Sequence, residues 1–425
     1  MTIGSKPDWI KGIAKELDYR WRYKGITGIL PDISIILDES NAELNQALAA
    51  EGIKESSWVS CFQCGTCRAV CPYTQVTTDV NGLSARRMLH EAQLGLTDFE
   101  SEEIWTCTTC DTCVDQCPRG VEIIDFMRNL RRVEVELGVG KIPDSLRRAM
   151  TNIASVGNPF GETSENRGDW AEHLPVKPFA KGTELLYFPG CFLAYDARAR
   201  KVAQATAGIL EKAGVDFGIL GSQEVCCGES VRKAGNEKLF QNLAQHNIGV
   251  FAENGVKGIL TTSPHCYHTF KNEYPQFEGD FEVIHYTQYL ARLIKEGRLN
   301  FSKELNKQVT YHDPCYLGRH NGIYEEPREI LRSIPGLELV EMPDARQKSL
   351  CCGGGGGGIW LDTKKGERLS DLRLEQAMET GASILAVACP YCLINFEDSK
   401  LTVGNADRIE IRDIAELVWE SIQES

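Results

Sequence analysis

The chain has 425 residues, too many for one average domain, and its 42% hydrophobic and 25% charged residues are typical of a globular protein. Its formal net charge of −14 argues against a nucleic-acid partner, which would need a basic surface. No run of 18 apolar residues is present and the first residues lack the apolar core of a secretory signal, so we expect a cytoplasmic chain without a transmembrane segment of its own. Seventeen cysteines in that compartment indicate metal or redox chemistry rather than a disulfide scaffold.

Residues 1–56 are predicted to be a helical segment without metal ligands. Trp9, Ile10, Ile13 and Leu17 recur at helical spacing, and residues 41–52 have the pattern of a second short helix. The apolar face of the first helix is either part of a core or a docking surface for a membrane subunit.

The first dense motif consists of two cysteine runs with the same spacing. Each run reads Cys-x-x-Cys-x-x-Cys-x-x-x-Cys-Pro, which is the pattern of two-cluster ferredoxins, in which the fourth cysteine ligates the other cluster. A zinc site would leave thiolates unused. The spacing therefore predicts two cubane [4Fe–4S] clusters, one held by Cys61, Cys64, Cys67 and Cys117, and the other by Cys107, Cys110, Cys113 and Cys71. Residues 57–156 form this module, with helices predicted at 81–95 and 121–137.

Beyond a linker predicted at 157–183, which is rich in Pro, Gly, Asn and Glu, the pattern changes to alternating strands and helices. Strands are predicted at 185–188, 217–220 and 258–262, and helices at 194–213, 238–254 and 287–296. Such alternation predicts an α/β fold with parallel sheets. The same order returns after residue 308, so we divide this part into domains at 184–300 and 301–425.

The cysteines repeat along with these elements. Cys191, Cys226, Cys227 and Cys266 in the first copy precede Cys315, Cys351, Cys352 and Cys392 in the second by 124 to 126 residues. The second copy has a fifth cysteine, Cys389, where the first has Ser263. The chain therefore carries two copies of one domain, and all 17 cysteines fall within motifs.

The twofold pattern of a cysteine, a Cys-Cys-Gly and a Cys-Pro-x-Cys resembles the cysteine-rich (CCG) domains of the heterodisulfide reductase family. With a mostly helical two-cluster ferredoxin domain fused ahead of them, residues 60–400 resemble joined reductase subunits, and come closest to the cytoplasmic iron–sulfur subunits of transmembrane redox complexes in sulfate reducers. The resemblance implies an α/β chain in which a complete five-cysteine repeat binds a noncubane [4Fe–4S] cluster, where disulfides are cleaved.

Carried to this sequence, the resemblance assigns the noncubane cluster to Cys315, Cys351, Cys352, Cys389 and Cys392. Gly353, Gly354 and Gly355 open a run of six glycines, which we expect to let the backbone approach the cluster. Cys191, Cys226, Cys227 and Cys266 are enough for a further cluster of uncertain form on the first repeat. The run lacks the Gly-Lys-Ser/Thr ending of a phosphate loop, so nucleotide binding is rejected there.

Five polar residues flank the cluster motifs. His312 is either a proton donor to a leaving thiolate or, with Asp313, a support for the Cys315 loop. For His320 a structural role is favoured, and His265 and His268 are more readily structural than replacement ligands for Ser263.

Three functions are compatible with these motifs. The leading hypothesis is a cytoplasmic, membrane-attached electron-transfer subunit with thiol/disulfide chemistry. Its partners would be a cytochrome b or quinone-reactive membrane subunit and a soluble thiol/disulfide or redox protein. The alternatives are an electron relay with no substrate of its own, and the iron–sulfur subunit of a flavin-dependent glycolate or lactate dehydrogenase.

Overall fold

The structure is a computed structural model that describes residues 57–77, 83–97, 101–138, 140–364, 366–404 and 406–423. The helices predicted within residues 1–56 lie outside the described residues. Residues 57–156 are helical where described, with α-helices at Thr66–Ala69, Tyr73–Val76, Ala85–Gln93, Thr112–Asp115, Ile123–Leu137 and Asp144–Val156.

The two helices predicted in the ferredoxin module form close to their predicted positions. Ser84 starts the first one because its hydroxyl oxygen accepts a hydrogen bond from the backbone N–H of Arg87 at 3.3 Å, a typical N-cap. Gly138, at φ 64°, ends the helix Ile123–Leu137 in the left-handed conformation that glycine adopts without strain. The apolar faces of both helices meet in one buried cluster that includes Met88, Leu89 and Met127.

Two parallel sheets follow, as the alternation predicted. The first has the strand order β1-β3-β2-β4-β5, with strands at Lys177–Pro178, Leu185–Phe188, Phe217–Ile219, Gly258–Thr261 and Glu282–His285. The second has the order β7-β6-β8-β9, with β6 to β9 at Lys307–Tyr311, Leu337–Leu339, Ile384–Val387 and Glu410–Asp413. The central strands β2, β4 and β8 are buried along their whole length, as parallel strands with both faces covered require.

Eight helices of more than five residues accompany these strands in the described part of the repeats: Gly190–Tyr195, Ala197–Lys212, Glu237–Asn254, Tyr286–Lys295, Glu325–Ser333, Leu369–Glu379, Pro390–Lys400 and Ile414–Ile422. Two five-residue α-helices, Glu229–Lys233 and Pro264–His268, also lie in the repeats. The order β7-β6-β8-β9 matches β3-β2-β4-β5, so the duplication seen in the cysteines is also a duplication of the fold.

The structure differs from the prediction in the segment expected to be a linker, 157–183. Lys177 and Pro178 pair with Gly218 and Ile219, which adds an edge strand to the first sheet. Trp170 is 1% exposed and belongs to the main core cluster. The Pro- and Gly-rich composition suggested a free connection, but the segment is packed onto the first repeat.

The cysteines of each repeat lie beyond the carboxyl ends of its strands. Gly190 and Cys191 follow β2, and Ser263 and Cys266 follow β4, while the strand order places β3 and β4 on opposite sides of β2. That point, where the crossovers run in opposite directions, leaves the crevice in which parallel α/β sheets bind ligands. The fold thus gathers cysteines that are distant in sequence.

One buried arginine joins the ferredoxin module to both repeats. Arg131, on the helix Ile123–Leu137, is fully buried and donates to the carbonyl oxygens of Ile104 (3.0 and 2.6 Å) and Cys107 (2.6 Å) in its own module. It also donates to those of Lys233 (3.0 Å) in the first repeat and Gly356 (2.7 Å) in the second. A guanidinium can satisfy this many acceptors because it presents five N–H groups in a fixed plane.

The glycine run lies directly against the ferredoxin loop. A Cβ at Gly355 would come within 2.4 Å of the carbonyl oxygen of Thr108, and one at Gly356 within 2.3 Å of that of Cys107. Glycine is therefore required at both positions for the two backbones to touch.

No helix in the described part of the chain is long and apolar enough to cross a membrane.

This backbone contact predicts that Gly356→Ala destabilises the protein more than a matched control. Gly356 (φ 60°) and Gly381 (φ 77°) both lie in the left-handed region, but a Cβ at Gly381 would have open space around it among the described atoms. We expect each alanine to cost about 1 kcal/mol for the backbone conformation and Gly356→Ala a further 1–3 kcal/mol or so for the steric overlap. Thermal unfolding followed by circular dichroism compares the two midpoints, and equal midpoints would contradict the contact.

Candidate functional site

The eight ferredoxin cysteines form two groups that exchange their fourth members. Cys67 lies with Cys61, Cys64 and Cys117, since burial first and then the charges of these three thiols raise its pKa. Burial, followed by the charges of Cys107, Cys110 and Cys71 and lastly by that of Cys67 from the other group, raises the pKa of Cys113. The structure thus brings together the two sets predicted from the spacing.

The two loops that carry these cysteines share one unusual backbone conformation. In the first loop Gln63 and Gly65 have φ values of 63° and 89°, and in the second Thr109 and Asp111 have values of 52° and 72°. Residues other than glycine rarely adopt positive φ, and here they alternate with cysteines at matching positions. Such turns make concave backbone sites for anions, including iron–sulfur centres. This loop geometry fits a pair of clusters, and all 17 cysteines, each within the described residues, are free of disulfides.

In the second repeat all five predicted ligands are buried close together. The Sγ atoms of Cys352 and Cys392 are 3.2 Å apart, a contact longer than a disulfide bond of about 2.05 Å. The side chains of Cys315 and Cys351 are within hydrogen-bonding reach of each other, as are those of Cys389 and Cys392. Five adjacent thiols with no disulfide are a donor set suited to an iron–sulfur cluster.

His312 faces this set in a neutral form. Its Nδ1 accepts a hydrogen bond from Nε of Arg373 at 3.3 Å, so Nε2 carries the ring proton. A ring nitrogen lies within 4.8 Å of the sulfurs of Cys352 and Cys392, and Nε2 is buried without a partner among the described protein atoms. Burial and then the charge of Arg373 hold the pKa of His312 well below its usual range. The ring is therefore placed to give a hydrogen bond to sulfur, whereas Asp313 pairs with Arg328 at 2.6 and 2.9 Å and supports the loop.

Some glycines of the run lie beside the cysteine set of the second repeat, and others lie beside the ferredoxin loop. The N–H of Gly353 donates to Sγ of Cys351 at 3.3 Å, and a Cβ at Gly354 would lie 3.7 Å from Sγ of Cys352. These two glycines border the ligand set. Gly355 instead meets Thr108 of the ferredoxin loop and the His265 ring.

The second ferredoxin loop and the second repeat meet at their cysteines. Cys110 and Cys351 lie in one small buried cluster, and Sγ of Cys351 lies 3.5 Å from Oγ1 of Thr108. Two side chains from the repeat hold the loop in place. Nε of Arg319 donates to the carbonyl oxygen of Cys110 at 2.6 Å, and Nε2 of His320 lies 2.8 Å from that of Thr109, in line with the structural role favoured for His320.

The first repeat gathers four thiols and one hydroxyl. Sγ of Cys227 lies 3.4 Å from Sγ of Cys266, and the side chain of Cys191 is within hydrogen-bonding reach of Cys226. Ser263 takes the place of the fifth cysteine, but its Oγ accepts from the N–H of Cys266 at 3.5 Å and caps the helix Pro264–His268. All five residues border one cavity of about 30 Å³.

Neither histidine beside Cys266 completes the first set. Nδ1 of His265 pairs with Oε1 of Glu229 at 3.0 Å, and the ring lies between Tyr316 and Tyr391, with centroids 4.2 and 4.3 Å away. Its other hydrogen-bonding neighbour is Cys389, in the opposite repeat. His268 packs against His320 at 5.1 Å and hydrogen-bonds with Asn272. His265 therefore belongs to the site of the second repeat.

A cavity of about 260 Å³ leads to Cys352. Phe160, Phe192 and Trp360 form an aromatic wall on one side, with ring centroids 5.1 to 5.8 Å apart. Asn395 lines it beside the cysteine and donates from Nδ2 to the carbonyl oxygen of Cys352 at 2.9 Å. A small molecule could reach the second repeat by this route.

Sequence reasoning did not find the arginines that organise these sites. Arg319 is four residues after Cys315, a spacing that could have identified it, whereas Arg131 and Arg373 lie on helices with no motif around them. Arg167 lies in the presumed linker and donates from Nη1 to Sγ of Cys191 at 3.6 Å. Long side chains that reach across a fold leave no local pattern in sequence.

Comparisons with known proteins agree with these features. A family model described as a 4Fe-4S dicluster domain matches residues 57–121, and one described as a cysteine-rich domain, CCG, matches residues 185–271 and 309–397. The chain is 43% identical over 330 residues to the probable iron-sulfur-binding oxidoreductase FadF of Bacillus subtilis. It is 36% identical over 337 residues to the EtfAB:quinone oxidoreductase of Syntrophomonas wolfei. Each match covers 76% of the chain and 47% of the relative, so the chain spans about half the length of these two proteins.

One subunit of the dihydromethanophenazine:CoB–CoM heterodisulfide reductase of Methanosarcina barkeri matches over nearly its full length. It is 30% identical over 390 residues, which cover 85% of this chain and 93% of that protein. The ferredoxin module, the duplicated fold and the cysteine sets account for this match. The chain belongs to the heterodisulfide reductase-like family of iron–sulfur oxidoreductases.

Proposed function

We propose that the chain is an electron-transfer subunit of a membrane-associated redox complex, with thiol or disulfide chemistry at the second repeat. The observation that carries the proposal is the contact between Cys110 and Cys351, which sets a ferredoxin cysteine beside the five-cysteine group. Electron transfer between two centres needs such proximity. The thiol or disulfide part rests on the five buried cysteines and the cavity that opens on Cys352.

The cysteine sets name the residues that would hold each cofactor. The two crossed ferredoxin sets suit two cubane [4Fe–4S] clusters, the five cysteines of the second repeat suit a noncubane [4Fe–4S] cluster, and the four of the first repeat suit one further cluster. When bound, these groups would supply one-electron transfer and, at the second repeat, the making or breaking of a sulfur–sulfur bond.

The protein's own side chains prepare the second repeat for such a reaction. The cavity that opens on Cys352 combines the aromatic wall of Phe160, Phe192 and Trp360 with polar residues such as Arg368, a lining that suits a sulfur compound with a polar group. His312 carries its ring proton on Nε2, has a ring nitrogen within 4.8 Å of the sulfurs of Cys352 and Cys392, and would stabilise negative charge on sulfur of a bound cluster or substrate by donating that proton in a hydrogen bond. His265, held by Glu229, does the same at Cys389 from the other side.

The partners proposed are a quinone-reactive or cytochrome b subunit in the membrane and a soluble thiol/disulfide or redox protein, with the chain on the cytoplasmic side. The names of the relatives support this choice. One is an EtfAB:quinone oxidoreductase, one acts between dihydromethanophenazine and the CoB–CoM heterodisulfide, and a third, 35% identical over 398 residues, is a probable membrane-anchored ferredoxin of Chromohalobacter salexigens.

A relay without its own substrate is the second candidate. Two observations favour it: Ser263 leaves the first repeat without a fifth cysteine, and the relatives at 43% and 36% identity are not named for a disulfide. Oxidation of reduced viologen dye by a panel of disulfides separates the two functions. Turnover with any disulfide supports the first candidate, and none with the fully loaded protein supports the relay.

The four cysteine sets predict the iron content. We expect about 16 iron atoms and a similar number of sulfides per chain, measured on anaerobically purified protein, because each of four sets can hold a four-iron cluster. A value of about 12 would mean that the first repeat is empty, and about 8 would contradict a cluster on either repeat.

The second repeat predicts a loss of disulfide turnover in Cys389→Ser. We expect at least a roughly hundredfold lower activity, because serine is a harder and weaker iron ligand, while the electron paramagnetic resonance (EPR) spectrum keeps both cubane signals. Cys226→Ser is the matched control, since it removes a thiol from the first repeat and should leave the signal of the second repeat in place. Undiminished turnover in Cys389→Ser would rule out chemistry at this set.

A further inference from the structure

An arginine guanidinium with one buried nitrogen, unpartnered in the described part of the chain, lies beside the cysteine set of each repeat. In the second repeat this is Arg319, whose Nε binds the carbonyl oxygen of Cys110 at 2.6 Å and whose Nη1 binds those of Gln347 and Ser349 at 3.1 and 2.6 Å. Its Nη2 is buried and has no hydrogen-bond partner among the described protein atoms. Three hydrogen bonds thus fix the position of the guanidinium and leave one of its nitrogens without an acceptor.

Three thiols and the Asp111 carboxyl group lie in the surroundings of Arg319. The pKa of the guanidinium is raised because, although burial acts to lower it, the nearby thiols of Cys110, Cys315 and Cys351 act in the opposite direction. The carbonyl bonds place the group where the ferredoxin loop and the second repeat meet. A cluster bound by these cysteines would supply sulfur acceptors for Nη2 at that place.

In the first repeat the corresponding arginine is Arg167. It is 1% exposed, its Nε pairs with Oε2 of Glu224 at 3.1 Å, and its Nη1 donates to Sγ of Cys191 at 3.6 Å. Its Nη2 is also buried without a partner within the described chain. A second guanidinium therefore reaches the cysteine equivalent to Cys315 with a free donor.

The two arginines come from different places in the sequence. Arg319 lies four residues after Cys315, and the position four residues after Cys191 is Tyr195. Arg167 arrives from the segment before β1, and its Cζ lies 6.0 Å from the centre of the Tyr195 ring. The duplicated domains thus place a guanidinium near the same cysteine by unrelated routes, which a purely architectural role does not require.

A buried N–H group without an acceptor lowers the stability of the fold, and the loss is larger for a guanidinium because it stays charged. Thiolate and sulfide atoms of an iron–sulfur cluster accept such hydrogen bonds, and both the hydrogen bond and the positive charge stabilise the reduced state, which carries one more electron. We propose that Arg167 and Arg319 each donate from Nη2 to sulfur of the cluster on their own repeat and raise that cluster's reduction potential. This inference rests on the proposed function, because it requires a cluster on each repeat.

The two arginines should raise the reduction potentials of their clusters by different amounts. The charge of Arg167 is offset by Glu224 in a buried ion pair, whereas the hydrogen bonds of Arg319 in the described chain go to carbonyl oxygens only. Arg319 therefore keeps more of its charge for the sulfurs. Loss of Arg319 should lower the reduction potential of the second-repeat cluster more than loss of Arg167 lowers that of the first-repeat cluster.

The test is a potentiometric titration followed by EPR on the whole loaded chain. Signals are first assigned to the repeats by their loss in Cys389→Ser and in Cys226→Ser. Arg319→Gln is expected to lower the reduced-to-oxidised ratio of the second-repeat cluster at least tenfold at a fixed potential, which is about 59 mV for one electron. The double variant Arg167→Gln, Glu224→Gln, which removes the buried pair together, should shift only the first-repeat cluster, and by less.

Two further variants separate electrostatics from general damage. Arg319→Lys keeps the charge, so the potential of its second-repeat cluster should lie between those of the wild type and Arg319→Gln. Arg298→Gln removes an arginine that likewise donates to two carbonyl oxygens, those of Ala213 and Gly214, but is remote from every cysteine set, and should shift neither potential.

The outcomes distinguish the inference from the function on which it rests. If the wild-type protein carries a cluster on each repeat and the glutamine variants leave both potentials unchanged, the arginine roles are wrong and the proposed function stands. A shift of both clusters by either variant also overturns the inference, since it indicates a general effect on the fold. If iron analysis finds no cluster on the second repeat of the wild-type chain, the proposed function itself fails.

Discussion

The burial of the Arg131 guanidinium is the constraint on which the arrangement of the cofactor sites depends. Its side chain is 0% exposed and its hydrogen bonds end on carbonyl oxygens from the ferredoxin module and from both repeats. A buried charge tolerates little displacement of its acceptors, because each lost hydrogen bond leaves a desolvated donor. Cys107 and Gly356 are thereby held side by side, and the ferredoxin loop stays against the second repeat.

A pair of glycines makes the same contact possible from the other side. Gly355 and Gly356 allow the backbone of the second repeat to touch that of the ferredoxin loop, and Tyr316 adds a hydrogen bond of 2.7 Å to Oγ1 of Thr109. Cys110 and Cys351 are close because the hydrogen bonds of Arg131 and this backbone contact act together.

Much of this organisation could be predicted from sequence because cysteine spacing is a local and strict signal. The crossed ferredoxin sets, the duplicated parallel sheets and the strand Leu185–Phe188 follow from patterns within one or a few elements. The packing of Trp170 and the strand Lys177–Pro178 could not be read from the composition of 157–183, since burial there is decided by the neighbouring sheet. The position of His265, which lies next to Cys266 in sequence but beside Cys389 in space, depends on how two domains face each other. No spacing rule contains that information.

The depth of the second repeat's cysteines links cofactor assembly to folding. Cys315, Cys351, Cys352, Cys389 and Cys392 are each no more than 6% exposed, and the loop around Cys110 lies over Cys315 and Cys351. The cavity described above reaches Cys352 but none of the other four cysteines, so iron and sulfide can reach those four thiols only while the ferredoxin loop is still undocked. The cluster of the second repeat must therefore assemble before the ferredoxin module closes over it. A chain that folds without iron would trap five reactive thiols in its interior, where later repair requires partial unfolding.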